Sequence, residues 1–171
     1  STDRNQINSS RSAGLPVKAI KDVCFWLRGS SNESVTSVTQ LDRRPVLVLK
    51  SCVIYNFYAC IKGGVDASLY CEGNSFLDFF ECAISLINPI ICHIEQGIFE
   101  RTVGNTVQIR FLKRVAEVDV ERKVVIKKVD MTSSCRNGIS ISAETKHHQP
   151  INLAISIRGN QITGHHDNAI F

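Results

Sequence analysis

Residues 74–84 read NSFLDFFECAI, and residues 160–170 read NQITGHHDNAI. Each stretch opens on an asparagine, places an apolar residue two positions on, and carries an isoleucine eight positions after that (Phe76 to Ile84, Ile162 to Ile170). Met131 and Ile139 repeat the spacing across the turn-like Thr132-Ser133-Ser134 and Asn137-Gly138; Ile54 and Ile61 fall one residue short of it. A longer interval runs through the same residues. Ile54 and Phe76, Phe76 and Ile98, and Cys60 and Cys82 are 22 residues apart, and Cys71 and Cys92 are 21 apart. Short strands broken by polar turns and repeated every ~20–25 residues are what stacked coils need, since one coil cannot bury its apolar side alone. In-register stacking sets like beside like. The spacing therefore predicts interior ladders of cysteine and apolar residues, with Asn74 and Asn160 at corners where asparagine tolerates left-handed backbone.

Working outward, 46–49, 53–58, 107–111, 124–129, 139–141 and 153–157 are rich in β-branched or aromatic residues and are punctuated by Gly, Asn, Ser and Pro. No sustained helical period appears; residues 76–86 are the best helix candidate, and their spacing fits an extended coil as well. The expected fold is all-β: a right-handed parallel β-helix of about five to six coils over residues 15–171. The coils fall at 17–43, 44–66, 67–89, 90–112, 113–150 and 151–171, the fifth carrying an excursion within 143–150. Residues 113–123 alternatively form an edge hairpin. For the whole chain the alternative is an antiparallel β-sandwich with chance repeats.

The 171 residues and an apolar content of 43% suit one domain with a continuous core. The longest apolar run, 85–94, contains Asn88, Pro89 and His93 and is far short of the ~20 residues of a bilayer span. Residues 1–14 are polar and aperiodic and read as a flexible linker, and an opening at Ser1 without Met suggests a piece of a longer protein. The net charge of +4 is mild, and Glu117, Asp119 and Glu121 interrupt the basic clusters, unlike a phosphate-tracking stripe. The seven cysteines fit neither a zinc ribbon nor a redox pair. They sit beside apolar residues, where a free cysteine acts as a small hydrophobe, which points to a reducing compartment against the two sequons at Asn8 and Asn32.

No catalytic, metal or cofactor constellation emerges. Hydrolysis of a glycosidic bond needs two flanking carboxyl groups, and Asp78 with Glu100, 22 residues apart, is the one pair that could stack. The doublets His147-His148 and His165-His166 cannot easily give one ion two ligands, because adjacent strand residues face opposite ways. The same reasoning separates Cys92 from His93, which reads as a core-edge histidine. Gly63-Gly64 lacks the lysine of a phosphate loop. Trp26 either covers the N-terminal end of the stack or offers a surface for stacking a sugar. Lys113, Arg114, Lys123, Lys127 and Lys128 are the candidate patch for an acidic partner.

The closing stretch Ile155-Ser156-Ile157-Arg158-Gly159-Asn160-Gln161-Ile162, its Gly164-His165-His166 turn and the final Ile170-Phe171 resemble the last coil of the Nessun Dorma family. These are the insect relatives of the vertebrate Shc-binding protein that associates with centralspindlin. Cys71-Glu72-Gly73-Asn74-Ser75-Phe76 and Cys92-His93-Ile94-Glu95 look like further coils of that family's β-helix, so the resemblance covers about residues 45–171. It implies a non-enzymatic interaction module of a cytokinesis scaffold in the cytoplasm, at the cleavage furrow, midbody or intercellular bridge. The implied partners are the central-spindle kinesin and GTPase-activator complex, together with galactose-containing glycans. A polysaccharide lyase or glycoside hydrolase on the same architecture is the alternative.

Overall fold

The computed structural model describes residues 23–27, 44–112, 120–134, 136–143, 152–164 and 167–171. Those residues are all-β. The strands are β1 (Val23–Leu27), β2 (Val46–Lys50), β3 (Val53–Gly63), β4 (Ser68–Glu72), β5 (Ser75–Ile87), β6 (Ile91–Glu95), β7 (Ile98–Thr102), β8 (Asn105–Phe111), β9 (Arg122–Lys127), β10 (Asp130–Ser134), β11 (Ile139–Ala143), β12 (Leu153–Arg158) and β13 (Gln161–Thr163). Residues 76–86, the helix candidate, lie inside β5, where Phe76, Phe79, Ile84 and Leu86 are all buried.

Every strand pair is parallel, which rules out the antiparallel sandwich. A five-stranded sheet runs β12-β9-β6-β4-β2, and an eight-stranded sheet holds the rest. In the larger sheet, the long β3 and β5 serve two stacks at once: β7, β10 and β13 continue the first halves, while β1, β8 and β11 continue the second. Parallel neighbours need a long connection, and here the strands of the other stacks supply it.

The core is a set of in-register ladders. Ile54, Phe76, Phe99, Met131 and Ile162 pair in series, and Phe76 stacks on Phe99 at 4.7 Å between ring centroids. A second ladder joins Phe25, Ile61, Ile84, Val107, Ile139 and Ile170. The eight-residue spacing thus links two ladders on adjoining stacks. The short interval between Ile54 and Ile61 has a local cause: the register slips between Phe57 and Ala59, where β5 holds one more residue than β3.

Three expected alignments are displaced, the first being that of Cys82, which pairs with Ala59 and not with Cys60. Phe76 pairs with Phe99 and not with Ile98, which faces outward and is exposed. Cys71 pairs with Ile94, and Cys92 with Leu69, so these cysteines do not stack on each other. Cysteine is interchangeable with leucine or isoleucine at these sites because burial, not identity, sets the ladder. Cys24 does fall opposite Cys60, whose thiol donates a hydrogen bond to the Cys24 sulfur.

Corners repeat as regularly as strands. Ser51, Gly73, Gln96, Lys128 and Gly159 occupy one corner and Asn56, Asp78, Arg101, Ser133 and Gly164 another, all with φ between 52° and 68°. Each non-glycine there costs roughly 1–2 kcal/mol. At Asn74 and Asn160 the left-handed residue is the preceding glycine, and the asparagine instead bonds to the repeat before it. Asn74 Oδ1 accepts from the Cys52 N–H and its Nδ2 donates to the Leu49 carbonyl, both at 2.9 Å. Asn160 does the same with Val129 (3.1 Å) and Ile126 (3.0 Å).

Candidate functional site

The outward face of the five-stranded sheet carries a groove among the described residues. Alternation along each strand sends Leu47, Leu49 and their partners inward and leaves two outward ladders of interest. One is Val48, Tyr70, His93, Val125 and Ser156; the other is Lys50, Glu72, Glu95, Lys127 and Arg158. Tyr70 and His93 stack at 6.3 Å. Val46 and Val48 are exposed at 58% and 53%, a large apolar surface for β-branched residues at a sheet's outer face. A shallow groove of about 540 Å³ lies over Val48, Tyr70 and His93, with Lys50, Glu72 and Glu95 along its side.

The charged ladder is largely self-neutralising. Lys50 meets Glu72 at 2.9 Å, and Lys127 meets Glu95 at 2.8 Å. The His93 Nε2 lies 3.3 Å from the same Glu95 oxygen. The Lys127 hydrogen bond, opposed by burial and helped by His93 and the charges of Lys127 and Lys128, holds the Glu95 carboxyl below its ordinary range. The site therefore presents an aromatic and aliphatic centre beside a row of alternating ion pairs.

Of the five basic residues expected to meet a partner, Lys123 and Lys127 point outward from β9 on this face, and Lys128 sits exposed at the corner that follows. Lys113 and Arg114 lie outside the described residues, as do both histidine doublets. Trp26 is on β1 of the other sheet, aligned with Lys62, and is 58% exposed, pointing outward between Phe25 and Leu27 instead of covering the end of the stack. Near its partner, the Lys62 ammonium lies 5.3 Å from the Tyr58 ring, which stacks on Phe80 at 5.7 Å. Tyr70, His93, Tyr58 and Phe80 carry no sequence motif; only the two-residue alternation of β4 and β6 hinted that Tyr70 and His93 face out. His93 is accordingly no core-edge residue.

Asp78 does not stack on Glu100. Glu100 aligns with Leu77, and Arg101 takes the place beside Asp78, donating from Nε (2.5 Å) and Nη2 (3.0 Å) to its two oxygens and from Nη1 to Glu100 (2.9 Å). The six described cysteines are free thiols, and among the described residues no group of His, Cys, Asp and Glu could hold a metal ion. Among those residues, too, no helix is long and apolar enough to cross a membrane. No family model, curated protein or solved structure matches the chain.

Proposed function

We propose that the chain is a right-handed parallel β-helix that serves as a non-enzymatic interaction module of a cytokinesis scaffold. The fold reading rests on strands whose parallel partners recur 22, 23, 32 and 31 residues away, with ladders of side chains shared by successive repeats. The functional reading rests on the outward face: an exposed aliphatic and aromatic centre, Val46, Val48, Tyr70 and His93, beside a charged border. That is the anatomy of a protein-binding patch. Resemblance to the Nessun Dorma family supplies the partner, the centralspindlin kinesin and GTPase-activator complex, and a cytoplasmic setting at the cleavage furrow or midbody.

The test is capture of the purified central-spindle complex by the chain. Val48→Asp and Tyr70→Ala should each weaken capture by about ten-fold or more, as hot-spot residues do, with the circular dichroism spectrum unchanged. Capture that survives both variants places the interface elsewhere, and no capture by a folded chain ends the reading. Binding of galactose-containing glycans is the second part of the proposal, with Trp26 as the stacking surface. A glycan-array signal unaltered by Trp26→Ala would remove it.

The Asp78, Arg101 and Glu100 cluster favours the alternative of a polysaccharide lyase or hydrolase, since it gathers two carboxylates and a guanidinium on one outer surface. Against that role, Arg101 engages both oxygens of Asp78, which is the geometry of a structural ion pair. Turnover of a polysaccharide that Asp78→Asn with Glu100→Gln abolishes would reinstate it.

A further inference from the structure

The two ends of the five-stranded sheet differ. At one end the inward Leu49 of β2 is 8% exposed. At the other, Ile155 of β12 occupies an inward position, paired with the fully buried Val124, yet is 49% exposed. Ile170 and Phe171, which follow Ile139 and Ile141 in the neighbouring stack, are exposed at 51% and 67%. The edge of β12 is thus an uncovered row of core positions, and a strand edge also presents backbone groups that seek a partner.

The charge ladder on the outer side has an unanswered member. Lys50 is matched by Glu72 and Glu95 by Lys127, but Arg158 lies in register beside Lys127, a like charge. Among the described residues Arg158 has no acidic partner.

The chain itself contains a segment that answers all of these features. Leu69-Tyr70-Cys71-Glu72-Gly73-Asn74 lies parallel on Leu47-Val48-Leu49-Lys50-Ser51-Cys52, two apolar residues continuing the core and Glu72 meeting Lys50 at 2.9 Å. The Ser51 N–H donates to the Glu72 carbonyl (2.9 Å), Asn74 takes the Cys52 N–H and the Leu49 carbonyl, and the Ser75 N–H donates to the Cys52 carbonyl (2.8 Å). The Lys128–Arg158 and Gln161–Val129 backbone bonds and both Asn160 bonds repeat the pattern. The corresponding groups at the β12 edge are the Gly159 N–H, the Asn160 N–H and C=O and the Ile157 C=O, with no further described strand beside them.

We propose that the β12 edge binds an extended peptide as one more parallel strand, of the pattern apolar-x-apolar-carboxylate-Gly-Asn. The carboxylate pairs with Arg158, the apolar residues cover Ile155 and Ile157, and the asparagine amide bridges the Asn160 N–H and the Ile157 carbonyl. Main-chain bonds supply affinity and alternate side chains supply specificity, as in other strand-addition complexes. The site lies at the β12 edge, the opposite edge of the sheet from Val46 and Val48, shares with the outward face only Arg158 at the end of the charged ladder, and does not depend on that reading.

The probe is a synthetic peptide of residues 68–76 carrying Cys71→Val, titrated against the whole 171-residue chain. Binding is expected, with slowed amide exchange at residues 153–160. Arg158→Glu in the protein should weaken it about two- to five-fold, the value of an exposed ion pair, and Glu72→Lys in the peptide should restore it. Asn74→Ala in the peptide should weaken binding to the unaltered protein, a result that does not require any protein variant to fold. The proposal is overturned by a folded chain that binds neither peptide, by affinity indifferent to both charge changes, or by exchange protection that maps away from β12. It is equally overturned if sedimentation shows a dimer whose β12 amides are protected before peptide is added, since a second copy then owns the edge.

Discussion

Arg122 and Asp66, 56 residues apart in sequence, form an ion pair at 2.9 Å that ties together a further corner, where Asp66 and Asn88 are left-handed (φ 61° and 45°). Arg122 is 1% exposed, and its Nη1 also donates to the carbonyls of Asn88 (2.5 Å) and Pro89 (3.0 Å), so one side chain joins three successive repeats. Its Nε has no partner. Removing it leaves the Pro89 carbonyl and a half-buried carboxylate unanswered around a cavity, while the Asn88 carbonyl keeps the Asp66 N–H (3.0 Å). Arg122→Ala should lower stability by about 3–5 kcal/mol, read from urea unfolding. A loss under about 1 kcal/mol would mean that water satisfies the corner.

The register can be tested one residue at a time. Phe99 is buried against Phe76, whereas Ile98, the residue that exact 22-residue spacing selects, faces solvent. Phe99→Ala should cost about 3–5 kcal/mol, and Ile98→Ala should be near neutral. Reversal of that order would place the strand one residue out of register, since a single slip exchanges its two faces.

Two glycines should respond differently to the same methyl group. A Cβ at Gly104 runs into the Glu81 backbone carbonyl at the bulge of β5, where nothing can rotate aside. At Gly63 it meets the terminal methyl of Leu86, a flexible side chain. Gly104→Ala should therefore cost about 3 kcal/mol or prevent folding, against about 1 kcal/mol for Gly63→Ala, compared by thermal unfolding. Equal melting temperatures for the two variants would contradict the packing.

The buried cysteines make stability depend on alkaline pH. Burial, reinforced by nearby charge from Cys52 and Glu81 respectively, pushes the Cys71 and Cys82 thiols from the ordinary 9.0 up to about 12, and burial raises Cys60 and Cys92 as well. Folded-state values above the unfolded ones give stability that is complete below pH 9.0 and is lost as pH rises toward the folded values. Each thiol that ionises only on unfolding removes up to about 1.4 kcal/mol per pH unit. Urea midpoints should fall between about pH 9 and pH 11, less steeply in Cys71→Ala or Cys82→Ala. An unchanged slope in both variants would assign the decline to other groups.

The sequence alone determined the repeat. Inward ladder positions must be apolar in every repeat, so Ile54, Phe76, Met131 and Ile162, with Ile84, Ile139 and Ile170 eight residues after the last three, betray the period without any coordinates. Asn74 and Asn160 were legible for a related reason, because few side chains can bridge an N–H and a carbonyl of the preceding repeat. The alignment of individual cysteines was not legible, since a ladder accepts cysteine beside leucine or isoleucine without penalty.

Only the tertiary structure decided the register and the surface. One residue added at the β5 bulge moves every later alignment by a place, and nothing in the composition of 79–82 announces it. Outward neighbours such as Tyr70 and His93, or Lys127 and Glu95, come from repeats 23 and 32 residues apart, and solvent places little constraint on which residues those are. The carboxylates that a constant spacing would have stacked are offset by one residue, which sets Arg101 beside Asp78, and the edge left open at β12 becomes visible only when its inward residues are set against their covered partners.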